Sequence, residues 1–138
     1  MKKTTLLAIF ALFNLMAMAA TPKGNTVSII FNGSIVTVSN PLSSSGVTVT
    51  SNGADVTVNS TSSDVIYNVS GSSTNGSLLM TSSNDFSLIL DGLTLTSTTK
   101  AAIDIESNVT VTLQVIGTAT IADGTGGTQN GAIYCLGS

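Results

Sequence analysis

Apolar residues occupy every second position in a series of short runs that begins at residue 27 and continues past residue 110. Alternation of this kind over roughly four to eight residues predicts a β-strand with one buried face, and no run after residue 25 has the spacing of an amphipathic helix. Asn-Gly and Asp-Gly pairs, which adopt positive φ at low cost and mark turns, separate many of the runs. These pairs are Asn32-Gly33, Asn52-Gly53, Asn75-Gly76, Asp91-Gly92, Asp123-Gly124 and Asn130-Gly131. The sequence therefore predicts an all-β protein.

The runs also repeat along the chain. Shifts of roughly 21 to 30 residues align one set as Val56-Thr57-Val58, Leu78-Leu79-Met80, Ile103-Asp104-Ile105 and Ile133-Tyr134-Cys135, and a second set as Tyr67-Asn68-Val69, Leu88-Ile89-Leu90 and Val111-Thr112-Leu113. Repeats that cannot bury an apolar face alone indicate stacked coils. We therefore expect a single-stranded parallel β-solenoid of about five coils, incomplete at its C-terminus, with a β-sandwich as the alternative. The same alignment predicts that Cys135 points inward and is buried.

The first twenty residues differ from the rest. Lys2 and Lys3 precede an apolar segment at 6–15, and Ala17-Met18-Ala19 provides the small residues that signal peptidase accepts. This layout predicts a signal peptide at 1–19, followed by a linker at 20–25 and one domain at 26–138 with an N-terminal cap at 26–40. We expect a protein that is secreted or displayed on the cell surface. We expect no lipid anchor, because no Cys stands directly after the predicted cleavage site, and no membrane segment after cleavage.

Charge and composition exclude several classes of function. After residue 19 the chain has two Lys residues against seven acidic residues, a formal charge of −5, and the whole chain has no Arg and no His. So acidic a chain cannot neutralise a phosphate backbone, which excludes nucleic-acid binding. The absence of His excludes a Ser–His triad and a zinc site made of His and Cys. The sequence predicts no organic cofactor.

Several motifs resemble those of a known family. They lie at 47–49, 53–58, 67–72, 75–78, 88–97, 101–105 and 119–124. Together they make residues 27–136 similar to the secreted bacterial carbohydrate-binding domain-containing family. The resemblance implies a right-handed parallel β-helix that binds plant cell-wall polysaccharides, acidic ones included, and carries calcium. It therefore implies a polysaccharide partner.

Three residues are candidates for binding sugar. Asp104 and Glu106 lie two positions apart on one face of a strand, and Tyr134 aligns with the outward positions Thr57, Leu79 and Asp104. Tyr134 is thus the one aromatic residue placed to stack on a sugar ring, because the alternation turns the other aromatic residues, Phe31, Tyr67 and Phe86, inward. A solvated outer face is the favoured explanation of Asp104 and Glu106 over a catalytic pair.

The chain offers ligands for calcium, because Ca²⁺ takes carboxylate, carbonyl and amide oxygens. The candidate ligands are Asp91 and Asp123, in Asp-Gly pairs, together with Asp104 and Glu106. Asp91 and Asp123 are also the residues that stabilise a turn, so both explanations stay open. An acidic polysaccharide would need such a cation as a bridge.

The resemblance implies a non-catalytic carbohydrate-binding protein. The alternative is a structural or adhesive surface solenoid, and a polysaccharide lyase or glycoside hydrolase is a third hypothesis. The spacing of Asp104 and Glu106 overlaps the range for inverting hydrolysis, but any Asp-x-Glu in a strand has that spacing. We predict no enzyme. The last run, Ile133-Tyr134-Cys135, begins a new coil, which predicts end-to-end self-association through an open C-terminal edge.

Overall fold

The computed structural model describes residues 24–124 and 131–136, and these residues form eleven β-strands. Their bounds are β1 Thr26–Asn32, β2 Ile35–Ser39, β3 Val47–Asn52, β4 Asp55–Ser60, β5 Val65–Ser73, β6 Ser77–Ser82, β7 Phe86–Thr96, β8 Ile103–Ile105, β9 Val111–Ile116, β10 Thr120–Ala122 and β11 Ile133–Cys135. The prediction of an all-β protein is confirmed.

The strands form two mixed sheets. The first sheet has the order β10-β7-β5-β1-β2, with β9 also paired to β7, and the second has the order β11-β8-β6-β4-β3. Two pairs, β1/β2 and β3/β4, are antiparallel, and the pairs between the remaining neighbours are parallel. Side chains from both sheets share one buried core.

The prediction of a right-handed single-stranded parallel β-helix of about five coils is wrong. Each sheet is mixed, and the two-layer arrangement corresponds to the alternative, a β-sandwich. The reason lies in two short loops. Gly33 and Gly53, with φ of 64° and 61°, lie in two-residue turns that reverse the chain between β1 and β2 and between β3 and β4. Alternation of apolar residues is the same in parallel and antiparallel strands, so the repeat alone did not reveal these hairpins, although Asn-Gly at Asn32-Gly33 and Asn52-Gly53 is a hairpin signal.

The predicted strand registers agree with the structure more closely than the predicted architecture does. The first alignment is confirmed at each step, because Val56 pairs with Leu78, Leu78 with Ile103 and Ile103 with Ile133. In the second alignment the pairing of Tyr67 with Leu88 is confirmed. Its last step is wrong by two residues, since Leu88 pairs with Leu113 and not with Val111.

An irregularity interrupts the pairing of β5 with β7. Ser70 pairs with Asp91 and Ser72 with Thr94, so Gly71 lies opposite two residues of β7. The Asp91-Gly92 pair, predicted as a turn, is therefore part of a continuous strand at a β-bulge. Gly92 has a φ of 60°, which is the conformation that such a bulge requires.

The core lies between the sheets and is filled by the inward half of each alternation. Tyr67, Leu88, Leu78 and Ile103 have no exposed surface, and Phe31 and Phe86 are also buried. The inward orientation predicted for the aromatic residues is confirmed. Cys135 is exposed, so the prediction of a buried Cys135 is wrong. It occupies the inward row of Val58, Met80 and Ile105, but it lies on β11, the outermost described strand of the second sheet.

Residues 1–19, the predicted signal peptide, and 20–23 of the predicted linker lie outside the described residues. The predicted cap at 26–40 contains β1 and β2. Across 24–124 and 131–136, no helix has the length and hydropathy needed to cross a membrane.

Candidate functional site

The outer surface of the second sheet carries the three predicted sugar-binding residues. Strand alternation turns Thr57, Leu79, Asp104 and Tyr134 outward, and the strand pairing places them side by side in one row across β4, β6, β8 and β11. Neighbouring members of this row are about 4.8 Å apart, the spacing of paired strands. The predicted outward position of Tyr134 beside Asp104 is confirmed, and Tyr134 is half-buried.

Glu106 lies two residues after Asp104 and extends the next row. Its amide donates a hydrogen bond to the Met80 carbonyl at 2.9 Å, so the strand pairing continues past β8 and keeps Glu106 beside Thr81. On the other side of Thr81 the row continues through Asn59 to Thr48. We call Thr48, Asn59 and Thr81 the polar row.

The polar row lines a depression with a volume of about 400 Å³, together with Gly46, Ser60, Thr61 and Ser83. Hydroxyl groups both donate and accept hydrogen bonds, and the Asn amide does the same with separate atoms. Sugar hydroxyls need this combination of donors and acceptors. The polar row can therefore bind a glycan without any charged group.

A smaller depression of about 70 Å³ lies beside Asp104. It is lined by Ser77, Leu78, Leu79, Lys100, Ala101, Asp104 and Glu106. We call Leu79, Lys100, Asp104, Glu106 and Tyr134 together the Asp104 face. It combines an apolar side chain and an aromatic ring with groups that bear charge, which is the composition of an oriented ligand site.

Lys100 reaches this face from the loop between β7 and β8. Its Nζ lies 3.3 Å from Oδ1 of Asp55, and the same oxygen accepts a hydrogen bond of 2.5 Å from the Ser77 hydroxyl. The ion pair is about half exposed, so it contributes little to stability. Its consequence for the site is electrostatic, because the Asp55 carboxylate offsets the positive charge that the Lys100 ammonium brings to this face.

Asp104 is the residue whose environment departs most from the prediction. A solvated outer face was expected, but Asp104 is 8% exposed. Its place in the row, between Leu79 and Tyr134, explains the burial, because the larger neighbours cover the short Asp side chain on both sides. Glu106 remains exposed, so the two carboxylates are in unequal surroundings.

The four predicted calcium ligands are divided between the sheets. Asp104 and Glu106 belong to the second sheet, whereas Asp91 lies in β7 and Asp123 follows β10 in the first sheet. Asp123 accepts a hydrogen bond of 3.1 Å from the Gly131 amide. Within the described ranges, no three His, Cys, Asp or Glu side chains form a group that could hold a metal ion. The four carboxylates do not fit a shared calcium site, and calcium stays a prediction that would need carbonyl or amide ligands.

A third depression, of about 320 Å³, lies at the start of β5, β7 and β9 and includes Asp64, Asp85 and Thr110 in its wall. Oδ1 of Asp85 accepts a hydrogen bond of 2.8 Å from the Thr110 amide. Asp85 is therefore engaged in holding the paired strands β7 and β9 in position. The depression lacks an aromatic side chain apart from Phe86, which belongs to the core.

Sequence reasoning missed Asp55, Ser77 and Lys100 as members of this surface, and it gave Leu79 no role. The signal for Leu79 was present, since an apolar residue at an outward position breaks the usual alternation. No local pattern links Lys100 to Asp55, because they are distant in sequence and the pairing of β4 with β6 and of β6 with β8 brings them together.

Comparison with known families identifies a match that covers this surface. A family model described as "Carbohydrate-binding domain-containing protein" matches residues 43–137, which is more than half of the 138 residues. The matched range includes all the described strands of the second sheet, from β3 to β11. No curated protein and no solved structure was found to match the chain.

Proposed function

Because the chain belongs to the carbohydrate-binding domain-containing protein family, we propose that it is a non-catalytic extracellular protein that binds polysaccharide on the outer surface of the second sheet. The observation that carries this proposal is the placement of Tyr134 next to Asp104 in one row, with Leu79 on the other side. An aromatic ring and a buried carboxylate side by side suit a sugar ring, which has an apolar face and polar edges.

The size of the surface suits a chain rather than a single sugar. The Asp104 face and the polar row together extend over the five strands of the second sheet, which is about 19 Å at the spacing of paired strands. A polysaccharide lying across the strands would meet Tyr134 at one end and Thr48 at the other. Such extended contact compensates for the shallow depressions.

The absence of catalytic groups supports binding without cleavage. The sequence has no His and no Arg, and Asp104 is largely covered while Glu106 is exposed. A glycosidase needs both carboxylates at the scissile bond, whereas a binding surface needs only one face of the sugar to be contacted. The carboxylates are therefore assigned to binding.

Plant cell-wall origin, an acidic ligand and calcium are finer parts of the proposal. A uronate chain would bring its carboxylates next to Asp104 and Glu106, and this contact would require a bridging cation such as Ca²⁺. A neutral chain would require none. Sensitivity to a chelator separates these two ligands.

The proposal is tested by retention of the purified protein on cellulose, xylan and polygalacturonate, with and without EDTA. We expect retention on at least one of them and a loss of affinity of about tenfold or more, equal to about 1.4 kcal/mol, in Tyr134→Ala. The control is Ile30→Ala, which removes a side chain that is 42% exposed on the first sheet, and it should bind like the wild type. Failure to bind any polysaccharide would favour the structural or adhesive alternative.

A further inference from the structure

The Asn-Gly pairs of this chain have a chemistry besides their role in turns. When the glycine nitrogen loses its proton to a base in solution, it can attack Cγ of the asparagine side chain. The Cγ–Nδ2 bond breaks, ammonia leaves, and one water molecule then opens the resulting succinimide ring to aspartate or isoaspartate. Glycine favours this reaction because it has no Cβ to obstruct ring closure. The chain has four such pairs: Asn32-Gly33, Asn52-Gly53, Asn75-Gly76 and Asn130-Gly131.

A hydrogen bond from the glycine amide opposes the reaction, because it holds the proton that must leave and fixes the position of the nitrogen. Three of the four glycine amides donate such a bond in the structure. The amide of Gly33 donates to the Ser72 carbonyl at 2.8 Å, that of Gly76 to the Thr96 carbonyl at 2.9 Å, and that of Gly131 to Oδ2 of Asp123 at 3.1 Å. These three nitrogens are therefore protected in the folded chain.

The amide of Gly53 differs from the other three. Among residues 24–124 and 131–136, it donates no hydrogen bond. The amides of a strand point alternately to its two sides. Gly33 follows β1, which lies between β2 and β5, and its amide reaches β5. Gly53 holds the equivalent position after β3, an outermost strand of the second sheet, so its amide faces a side without a paired strand.

The side chain that would be attacked is also accessible. Asn52 and Gly53 are both exposed, and in the described part of the chain the Asn52 side chain makes no hydrogen bond. By contrast, Oδ1 of Asn75 accepts a hydrogen bond of 2.6 Å from the Thr98 hydroxyl, and Gly76 is buried. The exposed turn admits the base that removes the proton and the water that opens the ring.

We propose that Asn52 is a site of spontaneous deamidation in the folded protein, whereas the other three Asn-Gly pairs are protected. Asn52 pairs with Asp55, which is the partner of Lys100. Conversion to aspartate therefore places a second carboxylate beside that of Asp55, on the outer surface of the second sheet. Isoaspartate in addition lengthens the backbone by a methylene group at the end of β3. This inference goes beyond the proposed function and does not depend on it.

The test is ageing of the full chain in a mildly alkaline buffer, followed by peptide mapping that quantifies aspartate and isoaspartate at the four sites. We expect Asn52 to react at least about fivefold faster than Asn32, Asn75 or Asn130, the ratio that corresponds to one backbone hydrogen bond. The same measurement in urea is the control for sequence effects. The four rates should converge there, because the protecting hydrogen bonds are lost.

Asn52→Gln is the decisive variant, because glutamine closes the corresponding six-membered ring far more slowly. The acidic species that ion-exchange chromatography detects on ageing of the intact chain should disappear in this variant. Asn32→Gln is the matched control, since Asn32 holds the same position in the β1/β2 hairpin as Asn52 holds in the β3/β4 hairpin. It should form the acidic species at the wild-type rate.

Three results would overturn the inference. They are equal rates at Asn52 and Asn32 in the folded chain, an acidic species that persists in Asn52→Gln, and an Asn52 that stays intact in the folded chain while the four sites react in urea. Retention on polysaccharide is a separate measurement, so failure of this inference and failure of the proposed function are distinguishable.

Discussion

Tyr67 shows how a single residue in this core is placed for packing rather than for polar contact. Its ring is fully buried and meets Phe86 edge to face, with the ring centroids 5.4 Å apart. The hydroxyl lies near Ser60, but within the described part of the chain no hydrogen bond of standard geometry reaches it. Burial raises the pKa of Tyr67 above its ordinary value of 10.0, and the proximity of Ser60 offsets part of this shift.

This raised pKa predicts alkaline destabilisation. Below about pH 10 both the folded and unfolded states keep Tyr67 neutral. Above it the unfolded state loses its proton first, so the free energy of unfolding falls as the pH rises. Tyr67→Phe should abolish that part of the fall and, at about pH 8, should cost no more than about 1 kcal/mol, because the lost hydroxyl has no regular partner. Urea unfolding from about pH 8 to about pH 11 measures both effects.

Tyr134→Phe is the control for this measurement. Tyr134 is half-buried on the outer surface, and its replacement should leave the alkaline decline as in the wild type. A decline of the same size in Tyr67→Phe and the wild type would show that other groups cause it.

The strand pairing shows what the sequence pattern could and could not predict about the elements. The alternation of apolar residues was enough to align Val56 with Leu78 and Ile103, because the inward positions of neighbouring strands must all be apolar. The apolar repeat could not distinguish a hairpin from a parallel return, so it missed the antiparallel pairs at β1/β2 and β3/β4. Asn-Gly marks both hairpins, but the same dipeptide at Asn75-Gly76 joins β5 and β6, which lie in different sheets. It also placed a turn at Asp91-Gly92, where the requirement for positive φ comes from a bulge within β7.

The bulge between β5 and β7 gives a prediction about stability. Gly71 has a φ of 88°, and a Cβ at this position would lie 2.1 Å from the carbonyl oxygen of Phe31. Gly71→Ala must therefore separate β5 from β1, and we expect a loss of at least about 3 kcal/mol in the free energy of unfolding. Chemical denaturation measures this loss.

Gly92→Ala is the matched control on the opposite strand of the bulge. Its φ of 60° is similarly unfavourable for Ala, but nothing lies within 4 Å of the added Cβ. This variant should lose only the backbone cost of about 1–2 kcal/mol. Equal losses in the two variants would mean that the close approach of Phe31 contributes nothing.

At the scale of the whole molecule, the candidate site is formed by residues from several strands of the second sheet and not by one segment of the chain. Thr48 on β3 and Tyr134 on β11 lie on the same surface although most of the chain separates them. The sequence alone identified Asp104, Glu106 and Tyr134, because each lies at an outward position of a recognisable strand. It could not identify Asp55 and Lys100, whose contact depends on the packing of a loop against a distant strand.

Self-association through the C-terminal edge stays a prediction at this scale. Leu113, Val115 and Ile116 on β9 and Ile133 on β11 are large apolar residues that remain exposed. They lie on outer strands of the first and second sheets. This edge adjoins the proposed binding surface at β11, which carries both Ile133 and Tyr134.

The assignment of polysaccharide binding to the outer surface of the second sheet is tested most directly by locating the ligand. Amide chemical-shift perturbation during titration with a bound oligosaccharide gives this location residue by residue. We predict that the largest shifts occur at Leu79, Lys100, Asp104, Glu106 and Tyr134, with smaller shifts along Thr81 and Asn59. Shifts concentrated on the first sheet, or around Asp64 and Asp85 at the start of β5 and β7, would contradict the assignment.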